Sequence, residues 1–149
     1  MFRYGKTARQ AVAAASYLAA CHRQRRGPVG SAEVARARHI PPTLAAKVLS
    51  AMAAAGLLKG TPGPKGGYEM NRLPEEVHLL DIVRLFDGVN EELPCPFGPD
   101  WCGHGTPCPL HDSFSAIREM TNRFLSTTSL AGFVSQGTGS TVETSTIQR

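Results

Sequence analysis

The chain has 149 residues, 42% of them apolar, which is enough for one domain with an added arm and a real core. Its longest apolar run near the start, residues 11–21, is interrupted by Ser16 and too short to span a bilayer, and no signal-peptide cleavage pattern follows, so a cytoplasmic protein with no membrane partner is expected. The net charge of +4 hides an asymmetry: residues 1–72 carry twelve Lys/Arg against two acids (+10), whereas residues 73–149 carry four against ten (−6). A basic half of that density suits the phosphates of DNA or RNA.

From Thr7 to His22 small and apolar residues dominate, and Val12, Ala15, Leu18 and Ala19 share one stripe, which predicts a packed helix. Cys21 near its end has no cysteine neighbour and reads as a small core residue. Arg23, Arg25 and Arg26 follow where cations favour a helix C-terminus, and Gly27-Pro28 stops the helix. Ser31 as N-cap with Glu33 in the first turn predicts a short helix over 32–38. His39-Ile40-Pro41-Pro42 makes a turn. A second helix then runs from Pro42 to Ala55, closed by Gly56, with Thr43 and Lys47 outward and Leu44, Val48, Leu49 and Met52 inward.

Two helices joined by a tight turn fit a helix-turn-helix, although an ordinary helical hairpin has the same pattern. The next segment favours the former. Leu57–Lys59 reads as a strand, Gly60–Gly67 as a glycine-proline loop and Tyr68–Asn71 as a returning strand, and a hairpin directly after a helix-turn-helix is a wing. Lys59, Lys65 and Arg72 flank its tip, in reach of phosphates or a minor groove.

A helix is expected over Glu75–Gly88, and another from Leu110 to about Val134, where Phe114, Ile117, Met120, Phe124, Leu125, Leu130 and Phe133 recur at helical spacing. Helix-turn-helix proteins usually pair to read two half-sites, so this last helix is assigned to a dimer interface. Ser135–Arg149 is Ser/Thr/Gly-rich and expected to be disordered. The expected fold is mainly α with a small β-hairpin wing: a winged helix-turn-helix domain over 1–88, a cysteine-rich loop over 89–111, a dimerisation helix over 112–134 and a tail over 135–149.

The loop Pro94–His111 carries three of the four cysteines, Cys95, Cys102 and Cys108, with six and then five residues between them, and His111 three places after the last. Its eight prolines and glycines bar a regular helix or strand, and a metal centre would give the backbone another reason to hold a shape. Clustered cysteines in an intracellular chain read as a metal or redox site rather than a disulfide framework. Three cysteines and a histidine are also a tetrahedral zinc set, but this spacing is looser than the Cys-x2-4-Cys knuckles common there. A zinc-stapled structural or interaction protein is therefore one alternative, and a cluster-free thiol switch another. An enzyme is not expected, since no Cys-x-x-Cys pair, Walker loop or nucleophile elbow occurs.

The succession I-P-P-x4-K-V-L, A-A-G-L-L-K, G-P-K-G-G-Y, L-L-D-I-V and C-x6-C-x5-C-x2-H closely resembles the IscR/NsrR (Rrf-two) family of winged-helix bacterial transcription regulators. The resemblance covers Thr7 to Val134. It implies a homodimer on double-stranded DNA with a pseudo-palindromic operator, and an iron–sulfur cluster whose state controls binding, with [2Fe-2S] favoured slightly over [4Fe-4S]. Cys95, Cys102 and Cys108 would be its thiolate ligands. One branch of the family places a histidine three residues after the last cysteine, here His111, with His104 the rival; another uses a residue such as a carboxylate near the partner's N-terminus, and no acid precedes Glu33 here.

The DNA-binding positions implied are Pro42, Thr43, Ala46, Lys47, Lys59 and Lys65. The recognition helix and the wing each depart from the pattern. Ala46-Lys47 stands where many members have Glu-Gln, and Pro62 where the wing often has an arginine, so a glutamate's selection for cytosine N4 is lost.

Overall fold

The computed structural model describes residues 5–87 and 107–134. Its elements in chain order are α1 (Lys6–Arg23), α2 (Ser31–Arg38), α3 (Pro42–Ala54), β1 (Leu58–Thr61), β2 (Gly67–Met70), a 3-10 turn (Pro74–Glu76), α4 (Leu79–Asp87), α5 (His111–Thr127) and α6 (Ala131–Val134). The architecture is mainly helical with one antiparallel hairpin.

α1 is the spine. Ala8, Ala11, Ala14, Ala15 and Ala19 are essentially inaccessible to solvent, and side chains this small let neighbouring backbones come close. α2, α3, α4 and α6 all pack against it. Around this strip Leu18, Val34, Val48, Leu49, Met52, Ile82 and Leu130 form one continuous core.

The helix ends follow local chemistry. α1 closes with Arg25 in the left-handed region (φ +54) and two reciprocal bonds, Arg25 N–H to the His22 carbonyl and Arg26 N–H to the Cys21 carbonyl, each 3.0 Å. That is the Schellman arrangement. Ser31 is the first residue of α2 rather than its cap; Gly30 precedes the helix, no side chain caps it, and the Gly30 carbonyl accepts from Glu33 and Val34. α3 starts at Pro42, behind Pro41, and ends before Gly56 at φ +79.

The hairpin pairs Leu58 with Met70, Lys59 with Glu69, Gly60 with Tyr68 and Thr61 with Gly67, so its strands extend further toward the tip than the glycines and prolines suggest. Val29 adds a third, one-residue edge: its amide donates to the Tyr68 carbonyl (2.9 Å) and its carbonyl accepts from Tyr68 (2.8 Å). Gly67 makes this possible, because a Cβ there would collide with the Val29 backbone.

Two expected helices are interrupted, and for one reason. Val77 and His78 are extended instead of helical, and α5 ends at Thr127 instead of running on to Val134. The two extended stretches bond to each other, Leu79 N–H to the Thr128 carbonyl and Leu130 N–H to the Val77 carbonyl, both 2.9 Å. A short bridge between distant segments thus outcompetes helical continuation, with Leu130 fully buried beneath it. No helix among the described residues is long and apolar enough to cross a membrane.

Candidate nucleic-acid interface and metal centre

The second helix of the helix-turn-helix divides its faces as its pattern predicts. Ala45, Val48, Leu49 and Met52 are buried and Leu44 is half-buried, while Pro42, Thr43, Ala46 and Lys47 are exposed. The wing that follows turns tightly over Gly63–Gly66, closed by a bond from the Gly66 amide to the Gly63 carbonyl (2.9 Å), with Gly63 at φ +101. Lys65 is exposed at that tip. Lys59 is exposed too, but lies opposite Glu69 in the register with its Nζ 3.9 Å from the carboxylate, a contact of little energetic weight in water.

A polar cluster fixes the helix-turn-helix on α1. The Tyr17 hydroxyl donates to Glu33 Oε1 at 2.7 Å, and Arg26 Nη2 donates to the same oxygen at 2.8 Å. Arg26 Nη1 lies 3.3 Å from the Tyr17 hydroxyl and 3.5 Å from Cys21 Sγ. From the other side the Arg38 guanidinium stacks 5.5 Å from the Tyr17 ring centroid while its Nε donates to the Ala13 carbonyl (3.1 Å). The hydrogen bonds from Tyr17 and then Arg26 hold the Glu33 carboxyl below its ordinary 4.5, and the bond to Glu33 pushes the Tyr17 phenol above 10.0. Sequence reasoning missed this cluster. Tyr17 and Glu33 are 16 positions apart on different helices, so no spacing signals their meeting.

Of the expected metal ligands, Cys95, Cys102 and the rival His104 lie outside the described residues. Cys108 is buried just ahead of α5, and His111, half-buried, is the first residue of that helix. The His111 amide donates to the Cys108 carbonyl at 3.0 Å, which puts the two residues on one turn of backbone. Among the described residues no three His, Cys, Asp or Glu side chains are grouped to take a metal ion. Cys21, 3% exposed, takes the core position expected of it, His22 and His39 are exposed, and His78 is half-buried.

An open cleft of about 500 Å³ separates the end of α1 from the 3-10 turn, lined by His22, Arg23, Arg25 and Arg26 on one side and Leu73, Pro74 and Glu75 on the other. Two of its cations already face carboxylates, Arg23 with Glu75 at 3.7 Å and Arg26 with Glu33. On α5 a different surface stands out: Ile117, Met120 and Phe124, at i, i+3 and i+7, are 57%, 72% and 49% exposed, while Leu125 on the opposite side is buried.

Comparison with known proteins accounts for this arrangement. A regulator of the helix-turn-helix type from Aquifex aeolicus, known only as a putative one, is 26% identical over 133 residues, covering 88% of this chain and 90% of that protein. The regulator IscR of Aliivibrio salmonicida is 27% identical over 104 residues, 70% of this chain and 61% of that one. In solved structures the fold is similar to that of CymR, the global cysteine regulator of B. subtilis, with a TM-score of 0.78 at 21% identity over 93% of this chain and all of that one. The profile of the Rrf2 family, described as iron-dependent transcriptional regulators, matches residues 4–136. The chain is therefore a winged-helix transcriptional regulator and belongs to the Rrf2 family.

Proposed function

We propose that the chain is a homodimeric DNA-binding regulator that senses iron–sulfur, redox or nitric oxide status through a cluster in its cysteine segment. The observation that carries the DNA reading is the outward face of α3, where Thr43, Ala46 and Lys47 are free of the core, on a helix followed directly by a wing with exposed Lys65 at its tip. Lys47, Lys65 and Lys59 would neutralise phosphates, and Thr43 with Lys47 would reach base edges. Ala46 offers no acceptor to cytosine N4, so base preference shifts toward Lys47 and guanine. The exposed apolar ridge of α5 supports pairing with a second copy, and twofold pairing implies a pseudo-palindromic operator.

The donor set fits an iron–sulfur centre: three thiolates from Cys95, Cys102 and Cys108, and one imidazole from His111, with His104 as rival. Cys108 and His111 support this by sharing one turn at the base of α5, where their positions bear on the dimer helix. When bound, such a cluster supplies a redox-active, labile centre, which an imidazole in place of a thiolate makes less negative and raises in potential; [2Fe-2S] is favoured slightly over [4Fe-4S], although both accept three thiolates and one weaker ligand. The protein's own part is to seat Cys108 against the core, anchor His111 at the start of α5, and hold α3 and the wing in register. The working units are then residues 1–88 for DNA, 89–111 for the cluster and 112–134 for pairing.

Anaerobic purification followed by visible spectroscopy and iron, sulfide and zinc analysis tests the reading. Red-brown protein that changes its DNA affinity on oxidation, with His111→Ala altering the spectrum, supports it. Colourless protein with stoichiometric zinc overturns the sensor and makes the site a structural staple. Metal-free protein whose DNA affinity follows reversible disulfide formation replaces the cluster with a thiol switch.

A further inference from the structure

α1 has no acidic residue in its first turn and no side chain of its own closing its N-terminus. A residue 82 positions away supplies both. The Asp87 carboxylate, at the last position of α4, accepts the Gly5 amide N–H at 2.7 Å and sets a negative charge at the positive end of the α1 dipole. Gly5 suits this contact because it has no side chain: a Cβ there would run into the Asp87 carboxylate. The bond is exposed, so burial does not force it, and it exists because the end of α4 and the start of α1 are aimed at each other.

The location gives the contact its interest. Asp87 directly precedes residues 88–106, which include Cys95 and Cys102. α1, held at its start by that residue, packs along the core strip of α3, the helix whose outer face carries Thr43 and Lys47. A displacement of the α4 end therefore has a bonded route to the reading helix that does not pass through the dimer interface.

We propose that Asp87 and Gly5 form a positioning pair through which the state of the cysteine segment sets the placement of α1 and hence DNA affinity. This rests on the sensor reading above. A change at the segment that draws Asp87 away uncaps α1, loosens its first turn and lets α3 shift on its strip of alanines; restoring the segment restores the cap. The pair acts through α1 and touches no DNA.

The test uses full-length protein and a duplex selected from a random pool by the wild type. Fluorescence anisotropy gives the ratio of Kd values between anaerobic protein held in dithiothreitol and the same protein treated with hydrogen peroxide. Hydrogen exchange reads the amides of Lys6–Arg9 in both states. The variants are Asp87→Ala, Gly5→Ala, the acceptor-preserving Asp87→Asn, and Ile82→Val as a destabilised control that leaves the pair alone. The wild-type ratio should fall within the usual coupling range of about five- to 150-fold, dropping below about twofold in Asp87→Ala and Gly5→Ala. Asp87→Asn and Ile82→Val should retain it, and only the first two variants should speed exchange at Lys6–Arg9.

A simple structural cap would lower stability in Asp87→Ala and Gly5→Ala while leaving the ratio at its wild-type value, and that result overturns the proposal. Loss of the ratio in Ile82→Val as well overturns it too, since coupling would then track stability alone. A wild-type ratio of one overturns the sensor reading and the coupling with it, which separates the two failures.

Discussion

Replacing Met120 by alanine tests the assignment of α5 to the dimer interface. In one protomer Met120 is 72% exposed, the highest value among the large apolar side chains described. Full burial of such a side chain is worth about 1.5–3 kcal/mol, so covering the exposed part contributes about 1–2 kcal/mol per copy. In a twofold interface the same patch occurs on both subunits, and Met120→Ala removes about 2–4 kcal/mol from the dimer. At a tenfold change per 1.4 kcal/mol the dimer dissociation constant rises about 30- to 700-fold. Sedimentation equilibrium over a concentration series measures it, with circular dichroism confirming that each protomer stays folded. Dissociation constants within about threefold of each other would refute the assignment, because the ridge would then face solvent in the dimer as well. Wild-type protein that is monomeric throughout the series would refute it outright.

Other expectations follow from the same geometry. Leu130→Ala empties a fully buried site beneath the bridge that joins the end of α5 to the segment before α4, and should cost about 2–5 kcal/mol in urea unfolding. Lys47→Ala should lower the slope of log K against log salt by about one and weaken binding across sequences if the lysine meets a phosphate, with a selective loss at one base pair if it meets guanine. Glu33, whose carboxyl sits below its ordinary 4.5, stabilises the fold fully above that value and loses the contribution as pH falls through the depressed one. Acid titration of unfolding should therefore be shallower in Glu33→Gln than in the wild type below 4.5, by a modest margin because the side chain is 36% exposed.

The helix-turn-helix and wing were legible because their signals are local. Proline at the start of α3, glycine just after it, the outward Thr43 and Lys47 against inward Val48, Leu49 and Met52, and a glycine-proline tip all act within a few residues. The interruption at Val77–His78 and Thr128–Ser129 was not legible. Each segment reads as helix alone and becomes extended only because the other lies beside it, some fifty positions away. Ser31 shows a smaller failure of the same kind: a good capping residue is displaced by one position because Gly30 must lie against Gly67 of the wing. The Tyr17–Glu33–Arg26 cluster and the Asp87–Gly5 bond are likewise contacts between elements, invisible to periodicity. Of the expected metal ligands, Cys108 and His111 share one turn of backbone, and Cys95, Cys102 and the rival His104 lie outside the described residues.

The two prolines that open α3 have a consequence for how the protein grips DNA. Helix N-termini commonly hold phosphates through main-chain amides, which are fixed in place and indifferent to mutation. Pro41 and Pro42 have no N–H, and the Ala45 amide is already spent on the Pro41 carbonyl, so only Thr43 and Leu44 remain to offer one. In the DNA contact proposed above, fewer main-chain amides are on offer and the side chains must carry more of the grip. It should weaken steeply with added salt, and single substitutions at positions 43, 46 or 47 can retune it without disturbing the fold.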